Sequence, residues 1–199
     1  MDGSLAGRGM IATSKRRLHF MRKTLITSLL LVALSAVAHA QEPAKEAKKP
    51  LSPPATASGT IGAAKITIDY SAPSKRGREI MGGLVPYGKV WRTGANAATT
   101  LTTDRDLMIG HLSVPAGKYT LYTIPNAKEW TLIVNKQNGQ WGTEYDEKQD
   151  LGRVTLAVKS TKAPVETLVI AVKPTGGKNN GEITFTWEGV EAVAPVTAR

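Results

Sequence analysis

From residue 65 onward, apolar and polar positions alternate in short runs. Ile66, Ile68 and Tyr70 fall on one face of a strand, and Thr67 and Asp69 on the other. The same period of two returns at Trp130, Leu132 and Val134, at Val154, Leu156 and Val158, at Leu168, Ile170 and Val172, and at Ile183, Phe185 and Trp187. Residues 99–103, rich in Thr, and residues 107–114 and 118–124 read as further strands. Pro115-Ala116-Gly117 is a tight turn and sets up a hairpin with Val114 opposite Tyr119. Turn-punctuated strands without a helical period predict an all-β fold, a single antiparallel β-sandwich of jelly-roll or barrel-like form.

Two stretches break the alternation. Residues 71–98 form one long irregular connection, punctuated by Pro73, Pro86 and glycines at 77, 82, 83, 88 and 94. Residues 136–150 are polar except for Trp141 and Tyr145, and read as a long loop with one helical turn near Tyr145.

The N-terminal part has a different pattern. Met21-Arg22-Lys23-Thr24 is a short basic region, residues 25–37 are an uncharged, largely apolar run, and Ala38-His39-Ala40 is a small-x-small cleavage pattern. This is the signature of a signal peptide over residues 21–40, with Gln41 as the mature start. The apolar run falls short of the ~20 residues of a spanning helix. Residues 1–20 stand outside that scheme, as a mis-called start or an extended n-region. Residues 41–58 are a Pro/Ala/Lys linker without apolar period. The folded domain is expected over residues 59–190, with 191–199 as a tail.

Charge changes little once the leader is set aside. The full chain carries a formal +10, but residues 1–40 hold six Lys/Arg and one Asp, leaving 20 cations against 15 anions. No basic stripe interleaves with aromatics, so nucleic acid is not an expected partner. The chain has no cysteine, which excludes disulfides, thiolate metal sites and a lipid-anchored N-terminal Cys. The mature chain is expected to carry no membrane span and to lie in the periplasm or outside the cell.

Candidate chemistry is thin. Beyond residue 40 the single histidine is His111, in a turn with no motif around it. A clustered-His metal site cannot form, and neither a metal nor another cofactor is expected. The Gly/Lys run at 77–89 lacks the G-x-x-x-x-G-K-[ST] spacing of a phosphate loop. Asp104 and Asp106 straddle Arg105, and Glu144, Asp146, Glu147 and Asp150 crowd the long loop, without a calcium-loop order. What remains is Arg78, Arg92, Asn96 and Thr99 with Thr93, and Tyr87, Trp91, Trp130 and Trp141 as aromatic walls. Guanidinium groups bind carboxylate or phosphate in a fork, and aromatic faces with Asn and Thr line small-ligand pockets. The same residues also serve to pin irregular loops.

Four segments carry a resemblance: S-x-P-S-x-x-G-R-E-I at 71–80, L-V-P-Y-G-K-V-W-R-T-G-A-N-x-A-T at 84–99, P-A-G-K-Y-T-L-Y-T-I-P at 115–125, and W-T-L-I-x-N at 130–135 with G-Q-W-G at 139–142. The chain resembles an exported bacterial family, domain of unknown function 2911, over about residues 60–187. The resemblance implies a secreted, β-rich domain. It implies no activity, cofactor or catalytic residue.

Three functional readings stay open. The preferred one is a non-catalytic domain that binds a small polar or anionic ligand, or a cell-envelope partner, through Arg78, Tyr87, Trp91, Arg92, Asn96, Thr99 and Trp141. The second is a hydrolase of envelope polysaccharide or ester, with Asp104, Asp106 or Asp150 among its acids. The third is a purely structural domain.

Overall fold

A computed structural model describes residues 50–199. The expected leader, the segment before it and the linker up to residue 49 lie outside the described residues. Nine strands form: β1 (Pro54–Ile61), β2 (Ala64–Ser71), β3 (Thr99–Thr103), β4 (Leu107–Ile109), β5 (Leu112–Val114), β6 (Gly117–Pro125), β7 (Glu129–Asn135), β8 (Asp150–Pro174) and β9 (Asn180–Ala198). A 3-10 turn at Glu147–Gln149 precedes β8, in the loop where a helical turn was expected. No helix among the described residues is long and apolar enough to cross a membrane.

Every named pairing is antiparallel, so the all-β antiparallel expectation holds. The strands join in one hydrogen-bonded sheet, ordered β1-β2-β3-β6-β7-β8-β9-β4-β5. The sheet is open, with β1 and β5 at its edges, and is not the closed barrel the sequence allowed. Its longest strands are β8 and β9, of 25 and 19 residues. The first part of β8 pairs with β7. Its remainder pairs with β9, through register shifts between Ser160 and Val165 and between Val165 and Val169. Pro164 lies within the first shift, where a missing N–H breaks no regular ladder bond. The far part of β8 then faces β1: a β-carbon on Gly59 would sit 2.8 Å from the Val172 carbonyl oxygen. Glycine permits that close approach.

The alternating residues gather in one core cluster. Trp130, Leu132, Val134, Leu156, Leu168, Ile183, Phe185 and Trp187 are all buried, as are Ile66 and Ile68. Each fully buried large apolar side chain contributes about 1.5–3 kcal/mol relative to an exposed one.

Several boundaries move. β1 occupies residues expected as linker, so the domain starts before residue 59. Its sequence, PATASGTI, offers only Ala57 and Ile61 to the core. Residues 191–198, expected as a tail, complete β9: residues 191–193 pair with β8 and residues 196–198 with β4. The two strands expected at 153–159 and 165–172 are one strand, β8. The hairpin expected around Pro115–Gly117 does not form. Val114 faces Leu107 in β4 instead, and β6 pairs with β3 and β7.

Candidate functional site

The long connection at 71–98 divides into a pinned part and a part that shapes a cleft. In the first, Lys75 Nζ donates to Glu188 Oε1 at 2.7 Å. The other oxygen of Glu188 accepts from the backbone N–H groups of Ile80 and Met81, each at 3.2 Å. The Lys75 bond, then the two N–H bonds, hold the Glu188 carboxyl below the usual range against the opposing effect of burial. Arg78 donates from Nε to the Lys75 carbonyl at 3.0 Å and from a terminal nitrogen to the Ser74 carbonyl at 2.8 Å. Arg78 thus braces its own loop through two backbone carbonyls.

In the second part the chain runs along β6. Trp91 and Thr123 exchange both backbone bonds, at 2.7 and 2.9 Å. The Trp91 ring stacks on Trp187 at 5.8 Å and meets Trp130 edge-on at 6.1 Å. Thr93 follows at φ 54, a conformation costly for a β-branched residue. It is fully buried and held by neighbours: its hydroxyl donates to Thr123 Oγ1 at 3.2 Å, and its carbonyl accepts from Thr99 Oγ1 at 3.0 Å. Thr99 is thus spent on the backbone. Asn96, at φ 58, is exposed, with its side-chain amide donating to the Ser52 carbonyl at 3.4 Å.

Strand alternation sends Thr120 and Tyr122 of β6 to the face opposite Tyr119 and Leu121. Both are nevertheless fully buried, because residues 136–149 cover them. Thr120 Oγ1 donates to the Gln137 carbonyl at 2.7 Å, and the Tyr122 hydroxyl to the Glu144 carbonyl at 3.3 Å. Gln140 Nε2 donates to both hydroxyls at 3.2 Å. Burial raises the Tyr122 phenol. Tyr145 meets Tyr122 edge-on at 4.9 Å and donates to Asp150 Oδ2 at 2.7 Å. Burial first, then that bond, push its phenol up to about 12. Arg153 donates to the same Asp150 oxygen at 2.9 and 3.0 Å.

Between residues 84–92 and 142–145, over Tyr122, lies a cleft of about 500 Å³. Tyr122, Tyr145 and Gly142 form one side, with Thr143. Leu84, Pro86, Lys89 and Val90 form the other, with Trp91 and Arg92. The Nε of Arg92 is buried and has no hydrogen-bond partner among the described residues. Arg92 also belongs to no ion pair among the described residues. Among the described residues, no Asp, Glu or His lines the cleft.

Of the seven ligand-facing candidates, Trp91 and Arg92 line this cleft, and the Trp91 ring is committed to its tryptophan neighbours. Tyr87 stands beside it, half-exposed, with its ring against Gly82. Trp141 is exposed and adjoins Gly142. Arg78, Asn96 and Thr99 are loop pins. Trp130 is core. The candidate acids are dispersed: Asp104 caps the Lys65 N–H, Asp106 caps the Ala116 N–H, and Asp150 holds Tyr145, Asn135 and Arg153. His111 is exposed at the β4–β5 turn. No group of three His, Cys, Asp or Glu gathers as a metal site among the described residues. Tyr122, Tyr145 and Lys89 were not among the ligand-facing candidates. The signal for Tyr122 was present: in Tyr119–Ile124 apolar residues occupy both faces, so something must cover the second one.

A family model described as a protein of unknown function (DUF2911) matches residues 52–196. No curated protein and no solved structure matches the chain.

Proposed function

The chain belongs to this family of unknown function, and we propose that its domain is an exported, non-catalytic module that binds a small anionic ligand in the cleft beside Arg92. One observation carries the reading. Arg92 lines the cleft, and its Nε–H is buried with no hydrogen-bond partner among the described residues. An unmet buried donor costs about 1–3 kcal/mol. A carboxylate or phosphate oxygen in the cleft would recover that cost through a charge-assisted bond. Lys89, exposed on the same lining, adds a second positive charge without a fixed geometry.

The absence of Asp, Glu and His from the lining supports binding over hydrolysis. Glycoside hydrolysis by a carboxylate pair needs two such groups about 5–10 Å apart across the bound substrate. Export rests on the leader pattern at 21–40, and the mature protein should begin at Gln41.

Thermal unfolding tests the reading directly. Millimolar phosphate, acetate, phenylacetate or citrate should raise the wild-type Tm for at least one anion, and Arg92→Gln should abolish the rise. A wild-type Tm unmoved by the whole set would refute the proposal.

A further inference from the structure

The cleft's polar capacity is concentrated at one end. Both tyrosine hydroxyls are already used, Tyr122 on the Glu144 carbonyl and Tyr145 on Asp150. Tyr122 is fully buried, so of the two it is the half-buried Tyr145 that offers ring surface to the cleft. Opposite them stand Leu84, Pro86 and Val90. Leu84 and Val90 remain 49% and 40% exposed. Beside the cleft, Tyr87 and Trp141 are 44% and 51% exposed. Two of the six exposed large hydrophobics among the described residues thus line the cleft, and two more are chain neighbours of lining residues. Against this apolar rim stands Arg92, whose buried Nε has no partner among the described residues.

We infer that the ligand is an amphiphilic monoanion: one carboxylate on a planar or branched apolar body, rather than a polyol or a small hydrophilic anion. This deepens the anion-binding reading and rests on it. A polyol needs several fixed acceptors and donors, and here the acidic and imidazole side chains are missing from the lining. A hydrophilic anion would leave the rim in water. An apolar body covers that rim, while its carboxylate meets the Arg92 fork. The volume of about 500 Å³ lies in the usual range for small-molecule sites.

Isothermal titration of the described domain with its preceding linker, the expected mature chain, distinguishes the two claims. Probes are phenylacetate, acetate, gluconate, phosphate and phenylacetamide. Phenylacetate should bind about tenfold or more tighter than acetate, gluconate or phosphate. Leu84→Asn and Val90→Asn, both at exposed positions, should weaken phenylacetate several-fold and leave acetate unchanged. If acetate, gluconate or phosphate binds as tightly as phenylacetate, the amphiphile inference falls and anion binding stands. If phenylacetamide binds as tightly as phenylacetate, the anion requirement itself falls. If none of the probes binds, both are overturned.

Discussion

Gly142 and Arg92 touch so closely that position 142 has no room for a side chain. A β-carbon there would collide with Arg92 Cδ, stand 3.0 Å from Arg92 Cβ, and stand 2.7 Å from the Asn96 carbonyl oxygen. The Gly142 N–H also donates to that carbonyl at 3.1 Å. Residue 142 thus packs on the stem of Arg92, a cleft-lining arginine whose Nε has no hydrogen-bond partner among the described residues.

Gly142→Ala should therefore act on stability and on binding together. Overpacking against backbone costs about 1–3 kcal/mol, read as a lower urea midpoint. Because Arg92 must shift, affinity for an anionic probe should fall as well. Gly176→Ala is the control, since an added methyl there meets nothing within 4 Å. An unchanged affinity in Gly142→Ala would separate the glycine from the site.

Glu188 predicts an acid-sensitive brace. Its carboxyl is held below the ordinary range by Lys75 and two N–H groups. A carboxyl with a depressed folded value adds stability above its unfolded value, about 4.3 for Glu. That addition is lost as pH falls through the lower folded value. Glu188→Gln should cost about 1–3 kcal/mol at pH 7, as loss of a charged hydrogen-bonding group does. The difference from wild type should shrink once pH drops below about 4. A difference constant from pH 7 to 3 in denaturant titrations would contradict this.

Tyr145 makes the opposite prediction at high pH. Its phenol is pushed up to about 12, against an unfolded value of about 10. A raised value favours the folded state below pH ~10, and that advantage is lost as pH rises toward 12. Ultraviolet titration of the phenolates should show late-ionising tyrosines, Tyr122 and Tyr145 among them, and Tyr145→Phe should remove one of them. All five tyrosines titrating together in the folded protein would rule out the buried bond to Asp150.

The strands were legible where large apolar residues alternate, as at Ile66 and Ile68 or Ile183, Phe185 and Trp187. β1 was not, because Pro54, Ala55, Ala57 and Gly59 carry almost no hydrophobic signal and the strand is held by its register with β2. Pairing partners were also out of reach. Val114 has two candidate neighbours, Leu107 and Tyr119, and only the tertiary path chooses. At the site, Arg92 was visible as a charged residue in an irregular run, and so was Arg78. Nothing local separates them. Arg78 has two carbonyls three and four residues back to satisfy it, while Arg92 is enclosed by a loop some fifty residues away. Tyr145 joins the cleft through that same long-range closure.

That difference between the two arginines can be measured. Arg78→Ala removes two bonds to carbonyls at an exposed position, worth about 0.5–1.5 kcal/mol each at most. It should loosen residues 74–81, seen as faster amide exchange, and leave anion affinity unchanged. Arg92→Gln should do the reverse. It removes a buried donor that has no partner among the described residues, so stability should hold or rise slightly, while anion binding is lost. If Arg78→Ala weakens the anion as much as Arg92→Gln does, the brace and the binding cation have been assigned to the wrong residues. If Arg92→Gln unfolds the domain, Arg92 is itself a structural pin and the cleft has no ligand-facing cation of fixed geometry.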